Sequence, residues 1–240
     1  MSFKIPAFAG MTEYVMIQFN FKGLKILSIS AHPDDEIGGA GGFLVAAKKG
    51  GARFHFVLAL TPCEDRFECD EKEEQAQRLR EFDDVADYFA ANTSYLDIDR
   101  YPQMTMENIC LLVKEIRAYK PDLILTPSNE EHHSDHRALY NLTKEAIWQA
   151  GRAAFPGLGE PHKTRTWLSY ETDNAIAQPN FLFDITDHWE DKKNIFELYR
   201  SQTGRKDLVS ALLGLNRFRG IMFKGGEYAE AYNIKEFFYG

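Results

Sequence analysis

Apolar and polar positions alternate along the chain in two rhythms. Leu24 to Ala31 is a run of aliphatic and β-branched residues, the pattern of a buried strand, and after a short loop a Gly- and Ala-rich helical stretch runs from about Ile37 to Lys49. The unit repeats: a strand at Arg53 to Leu60, a long charged helix at about Asp70 to Ala91, a short strand at Tyr95 to Ile98, a helix at Thr105 to Tyr119, and an apolar strand at Asp122 to Thr126. A helix at about Ser134 to Ala150 follows. The last third carries strand-like Thr166 to Tyr170 and Phe181 to Ile185, then helical segments near Asp187 to Ser201 and Asp207 to Phe218.

Strands separated by helices pair in parallel through right-handed crossovers, so the pattern predicts a single-domain α/β fold: a Rossmann-like, doubly wound, mostly parallel sheet flanked by helices. In that order the fourth strand of the series lies beside the first. Ligands bind beyond the carboxyl ends of such strands, where the strand order reverses. The loops after Ala31 and Thr126 are therefore expected to meet, although about a hundred residues separate them.

No stretch has linker composition, and 240 residues suffice for one core. The domain is read as 24–240 and residues 1–23 as an N-terminal extension, with the start of translation at Met11 or Met16. The apolar part of Lys4 to Ala9 is too short for a secretory core. A net charge of −8 argues against nucleic acid and anionic lipid as partners, and no apolar run approaches the ~20 residues that span a bilayer. Cys63, Cys69 and Cys110 are odd in number and lack paired metal spacing, which suits a reducing, cytoplasmic location.

The first predicted strand ends in Ala31-His32-Pro33-Asp34-Asp35-Glu36, an imidazole and three carboxylates in five positions. After the later strand comes Glu130-Glu131-His132-His133-Ser134-Asp135-His136, with three of the chain's seven histidines. Either loop alone is readily explained as a capped turn or a helix start. Together, on the expected face of one sheet, they read as two histidines and a carboxylate around a catalytic metal with open positions. The residues alone do not decide between Asp34 and Asp35 as the ligand. Gly38-Gly39-Ala40-Gly41-Gly42 lacks the dinucleotide fingerprint and reads as close packing of the first helix on the sheet.

These motifs resemble the PIG-L or LmbE-like family of zinc-dependent N-acetyl sugar de-N-acetylases, whose hallmarks are Ala-His-Pro-Asp-Asp-Glu and His-x-Asp-His. The resemblance takes in Arg78-x-x-Glu81, Phe183-Asp184-Ile185-Thr186 followed by Lys193 and Ser201-Gln202, and Tyr228-Ala229-Glu230-Ala231, and covers about residues 24 to 232. It implies His32, Asp35 and His136 as metal ligands, Asp34 as general base, His133 at the developing oxyanion, there as an imidazolium, and Asp135 orienting a histidine. The implied cofactor is Zn²⁺, with Fe²⁺ as the alternative that the same ligands accept. The implied reaction is hydrolysis of an N-acetylglucosamine-like conjugate to acetate and free amine. The substrate is a small molecule, and homo-oligomers are common in the family.

Where many relatives carry a glycine-containing substrate loop, this chain has Thr61-Pro62-Cys63-Glu64-Asp65-Arg66 without glycine, and Arg66 is a candidate substrate contact. Two competing readings follow from the same ligands. A non-haem iron enzyme would need oxygen and a co-substrate. A metal-dependent sugar-binding module would not need Asp34 or His133.

Overall fold

The computed structural model describes residues 3–6, 14–17, 19–62, 71–204, 206–222 and 226–236. Its centre is a run of five parallel strands. β3 (Lys25–Ser30) pairs with β4 (Arg53–Leu60) on one side and β6 (Leu123–Pro127) on the other; β5 (Asn92–Ile98) extends the sheet beyond β4, and β7 (Thr166–Tyr170) beyond β6. The expected adjacency of the first and fourth strands of the series is present, and it makes the gap between β3 and β6 the point where strand order reverses.

Four further strands, β1 (Phe3–Pro6), β2 (Tyr14–Ile17), β8 (Phe181–Asp184) and β9 (Ala229–Glu236), complete the order β2-β1-β8-β9-β7-β6-β3-β4-β5. β9 inserts antiparallel between β7 and β8. It is a strand that apolar alternation missed: Glu230 is fully buried among Ala229, Ala231 and Tyr232, so a polar residue occupies a core position. The strands β1 and β2 form an antiparallel pair beside β8. Phe21 is buried against Phe43 and Phe183, so the packed core reaches upstream of residue 24.

Helices cover both faces. One face buries α1 (Asp35–Lys49), α2 (Glu71–Phe89) and α5 (Trp189–Phe196) around Phe43, Phe56, Phe82 and Phe183; the other buries α3 (Met106–Tyr119) and α4 (Ser134–Ala150) around Ile109, Leu112, Leu139 and Trp167. The predicted helix from 187 to 201 is broken: α5 ends at Phe196, and a short α6 (Arg200–Thr203) precedes α7 (Leu208–Met222). Among the described residues no helix is long and apolar enough to cross a membrane.

The glycines of α1 are explained by packing. A Cβ at Gly39 would lie 2.1 Å from the Tyr170 ring, and one at Gly42 would lie 2.4 Å from Ile185. The missing side chains let α1 lie close to β7 and to the segment after β8, which positions its N-terminus over the carboxyl end of β3.

Candidate active site

β3 ends at Ser30 and α1 begins at Asp35, leaving four residues to turn the chain. Asp34 makes the turn with φ 113° and ψ −28°, a conformation that a residue with a Cβ seldom adopts and that costs on the order of 1–3 kcal/mol. The turn is held by Asp35, whose Oδ2 accepts the N–H groups of Ala31 (3.0 Å) and His32 (2.8 Å). The second loop, after β6, ends in His133, which caps α4 by accepting the Asp135 N–H on Nδ1 (3.3 Å).

The two loops meet. His32 Nδ1 lies 3.2 Å from His136 Nε2, and His136 Nε2 lies 3.2 Å from Asp35 Oδ1. The outward nitrogens of both rings are engaged elsewhere: His32 Nε2 is 3.2 Å from buried Asp135 Oδ2, and His136 Nδ1 is 3.1 Å from Thr172 Oγ1, with Glu131 Oε2 at 3.8 Å. Asp135 also accepts from Arg100 Nε (3.2 Å) and the Tyr101 N–H (2.8 Å). These contacts orient the two rings, so that His32 Nδ1 and Asp35 Oδ1 both approach His136 Nε2.

Around a tetrahedral zinc with bonds of ~2.0–2.1 Å, ligand atoms sit about 3.3 Å apart; the two separations at His136 Nε2 are 3.2 Å, while His32 Nδ1 and Asp35 Oδ2 stand 3.9 Å apart. His133 also brings a ring nitrogen within 4.8 Å of those of His32 and His136, making the three histidines a candidate metal site. The electrostatics favour positive charge here. Burial resists charging His136, yet Asp35 and Glu131 lift its pKa to about 11; burial likewise opposes ionisation of Asp35, but His136 and His32 outweigh it and hold that carboxyl well below the usual range.

Asp34 behaves oppositely to its neighbour. Desolvation raises its pKa well above the ordinary carboxylate value; Arg78 offsets this in part, while Asp35, Glu36 and Asp173 add to it. His133 is pushed down to about 4 by burial and by His32 and His136. With Nδ1 accepting a backbone N–H, the neutral ring carries its proton on Nε2. A donor at this position therefore does not require an imidazolium.

His32, Asp34, Asp35, His133 and His136 line one cavity of about 320 Å³, with Arg78, Arg100, Asp173 and Gln202 on its walls, and Asp135 is buried behind it. Among the predicted site residues, Arg66 lies outside the described residues. His132 is exposed, while His133 lines the cavity. His55, His162 and His188 lie elsewhere: His55 pairs with Glu115, His162 bonds the Pro121 carbonyl, and His188 is buried beside Lys49. The motif lysine needs a correction by one position. Lys193 is partly exposed and pairs loosely with Glu190, whereas Lys192 is buried and bonded to Glu230, because α5 turns position 192 towards α1.

Sequence reading gave no role to Arg100, Thr172 and Asp173, yet each follows the carboxyl end of a parallel strand, β5 or β7. That position was the available signal.

Similar proteins share this architecture. A conserved protein, TT1542, from Thermus thermophilus is 25% identical with a TM-score of 0.75, over 88% of this chain and 94% of that one. The N,N'-diacetylchitobiose deacetylase of Pyrococcus horikoshii is also 25% identical, with a TM-score of 0.76 over 88% of this chain and 83% of that one. GalB, the 4-carboxy-2-hydroxymuconate hydratase of Pseudomonas putida, has a TM-score of 0.76 at 20% identity, over 90% and 97% of the two chains. The scaffold thus carries more than one chemistry, and the loops must decide. The family model described as PIG-L, GlcNAc-PI de-N-acetylase, matches residues 27–147, the span that holds both site loops, and the chain belongs to this deacetylase family.

Proposed function

We propose that the protein is a zinc-dependent hydrolase that removes the acetyl group from an N-acetylglucosamine-like conjugate. The observation that carries this reading is the meeting of the two loops, with His32 Nδ1 and Asp35 Oδ1 each 3.2 Å from His136 Nε2 and with Asp34 and His133 facing the same cavity. The similarity to a diacetylchitobiose deacetylase supports the sugar.

His32, Asp35 and His136 would hold the ion, which when bound supplies Lewis acidity, lowering the pKa of water and polarising the amide carbonyl. Asp34, its carboxyl raised by burial, accepts the proton of the attacking water and returns it to the departing nitrogen. The Nε2–H of His133 donates to the oxygen on which negative charge develops. Asp135 holds His32 in the tautomer that exposes Nδ1, and Arg100 and the Tyr101 N–H hold Asp135. Acetate and the free amine leave. An odd number of cysteines without paired metal spacing supports a reducing cytoplasm in this reading, with Cys110 present as a free thiol.

The test is a panel of N-acetylated sugar conjugates assayed for acetate and free amine before and after chelation, with zinc and then ferrous iron added back. Loss of amine release on chelation and its return with zinc is the expected result. Full activity in protein shown to contain no metal overturns the reading.

A further inference from the structure

A second cavity, of about 340 Å³, opens from the first across Asp34 and Asp35. Its walls differ in kind. Beyond the shared carboxylates, Thr172 and Asp173, it is lined by Gly38, Phe196, Leu208, Ala211, Leu212 and Leu215, four of them on one face of α7. The first cavity shares Leu208 but otherwise offers Arg78, Arg100, Gln202 and Lys206. Gly38 adds no side chain to this wall, and a Cβ there would lie 3.6 Å from the Phe196 ring, in ordinary contact. A surface helix with no ligand to meet would turn polar residues towards such a space, because apolar side chains around open water lose the gain of burial.

Resting on the deacetylase reading above, the geometry points to the same site also hydrolysing N-acyl groups longer than acetyl, with an unbranched apolar chain of about four to eight carbons lying along α7. An amide set over Asp34 and Asp35 has two substituents that diverge from the carbonyl carbon and the nitrogen. The hydroxylated amine portion matches the cavity of guanidinium, amide and ammonium groups. The acyl portion is then directed to the apolar one, whose size suits a small-molecule site. Hydrolysis is unchanged in kind: water adds to the carbonyl carbon, the C–N bond breaks, the nitrogen gains a proton, and a carboxylate longer than acetate leaves.

The test uses zinc-reconstituted enzyme and a series of N-acetyl-, N-butanoyl-, N-hexanoyl- and N-octanoylglucosamine, with octyl N-acetylglucosaminide as a control that carries the same chain on the glycosidic oxygen. Free amine is measured throughout. kcat/KM is expected to rise about 3–4-fold for each added methylene that enters the cavity, mainly through KM. Ala211→Glu, a change at an exposed helical position, is expected to flatten the series by placing a charge in the cavity. Flat or falling kcat/KM with chain length, beside real N-acetyl hydrolysis, overturns the inference and leaves the deacetylase reading intact. A gain confined to the octyl glycoside also overturns it, since the cavity would then serve the aglycone. Amine release from no member of the series overturns the parent reading as well.

Discussion

Helix α1 touches two buried groups of charges, and they are built on opposite principles. Along its middle, Glu230 accepts the N–H groups of Gly42 (2.7 Å) and Phe43 (2.9 Å), the Tyr232 hydroxyl (2.6 Å) and Lys192 Nζ (2.8 Å). Lys192 directs its other two donors to the Gly38 carbonyl (2.8 Å) and Asn216 Oδ1 (2.9 Å). Every polar atom of the pair is satisfied, as a buried ion pair requires to offset desolvation. At the helix N-terminus the reverse holds. His136 Nε2 stands 3.2 Å from both His32 Nδ1 and Asp35 Oδ1, and a shared proton or a cation is needed to reconcile these polar atoms. Complete pairing marks the group that holds α1 on the sheet; polar atoms crowded around one imidazole nitrogen mark the candidate site.

Substitutions can break this contrast. The largest effects fall on the adjacent carboxylates. Asp35→Ala is expected to lose zinc and all turnover, whereas Asp34→Asn keeps its zinc and loses ~10²–10⁴-fold in kcat, as for removal of a general base. Metal content and steady-state kinetics on both variants check the division; zinc lost from Asp34→Asn but retained by Asp35→Ala would exchange the roles. Next in size is His133→Ala, expected to lower kcat by ~10²–10³-fold at unchanged metal content, beside a nearly silent His132→Ala. A crippled His132 variant and a silent His133 variant would move the oxyanion donor to the other ring.

A smaller effect is expected for Asp135→Asn, which keeps the shape but weakens the hold on His32. Zinc affinity should fall ~10–100-fold, measured by competition with a chelator, while the enzyme saturated with zinc recovers much of its rate. Smallest in catalysis is Lys192→Met: kcat of the folded enzyme is expected to stay within about 2-fold while stability falls by about 3–5 kcal/mol in urea unfolding, because Glu230 is left charged and buried. Adding Glu230→Gln should return part of that loss through coupling of the pair. A Lys192→Met variant of unchanged stability would erase the distinction drawn between the two groups.

By itself the sequence determined the alternation of strand and helix from Leu24 to Ala150 and the two loops that form the candidate site. Both are local: burial writes period-2 and period-3.6 patterns into neighbouring residues, and a strand-to-helix turn gathers His32, Asp34 and Asp35 within four positions. The general crevice was legible too, because parallel crossovers leave few strand orders. Tertiary structure alone decided the rest. That β9 is a core strand depends on Lys192 and Asn216, distant in sequence, arriving to satisfy Glu230 and its partner. Whether Lys192 or Lys193 is buried depends on the rotation of α5 against α1. Arg100, Thr172 and Asp173 join the site from the ends of β5 and β7, and the apolar wall of α7 faces it from the far end of the chain. Such partners leave no periodic trace, since what selects them is proximity in three dimensions and the need of each buried polar atom for a partner.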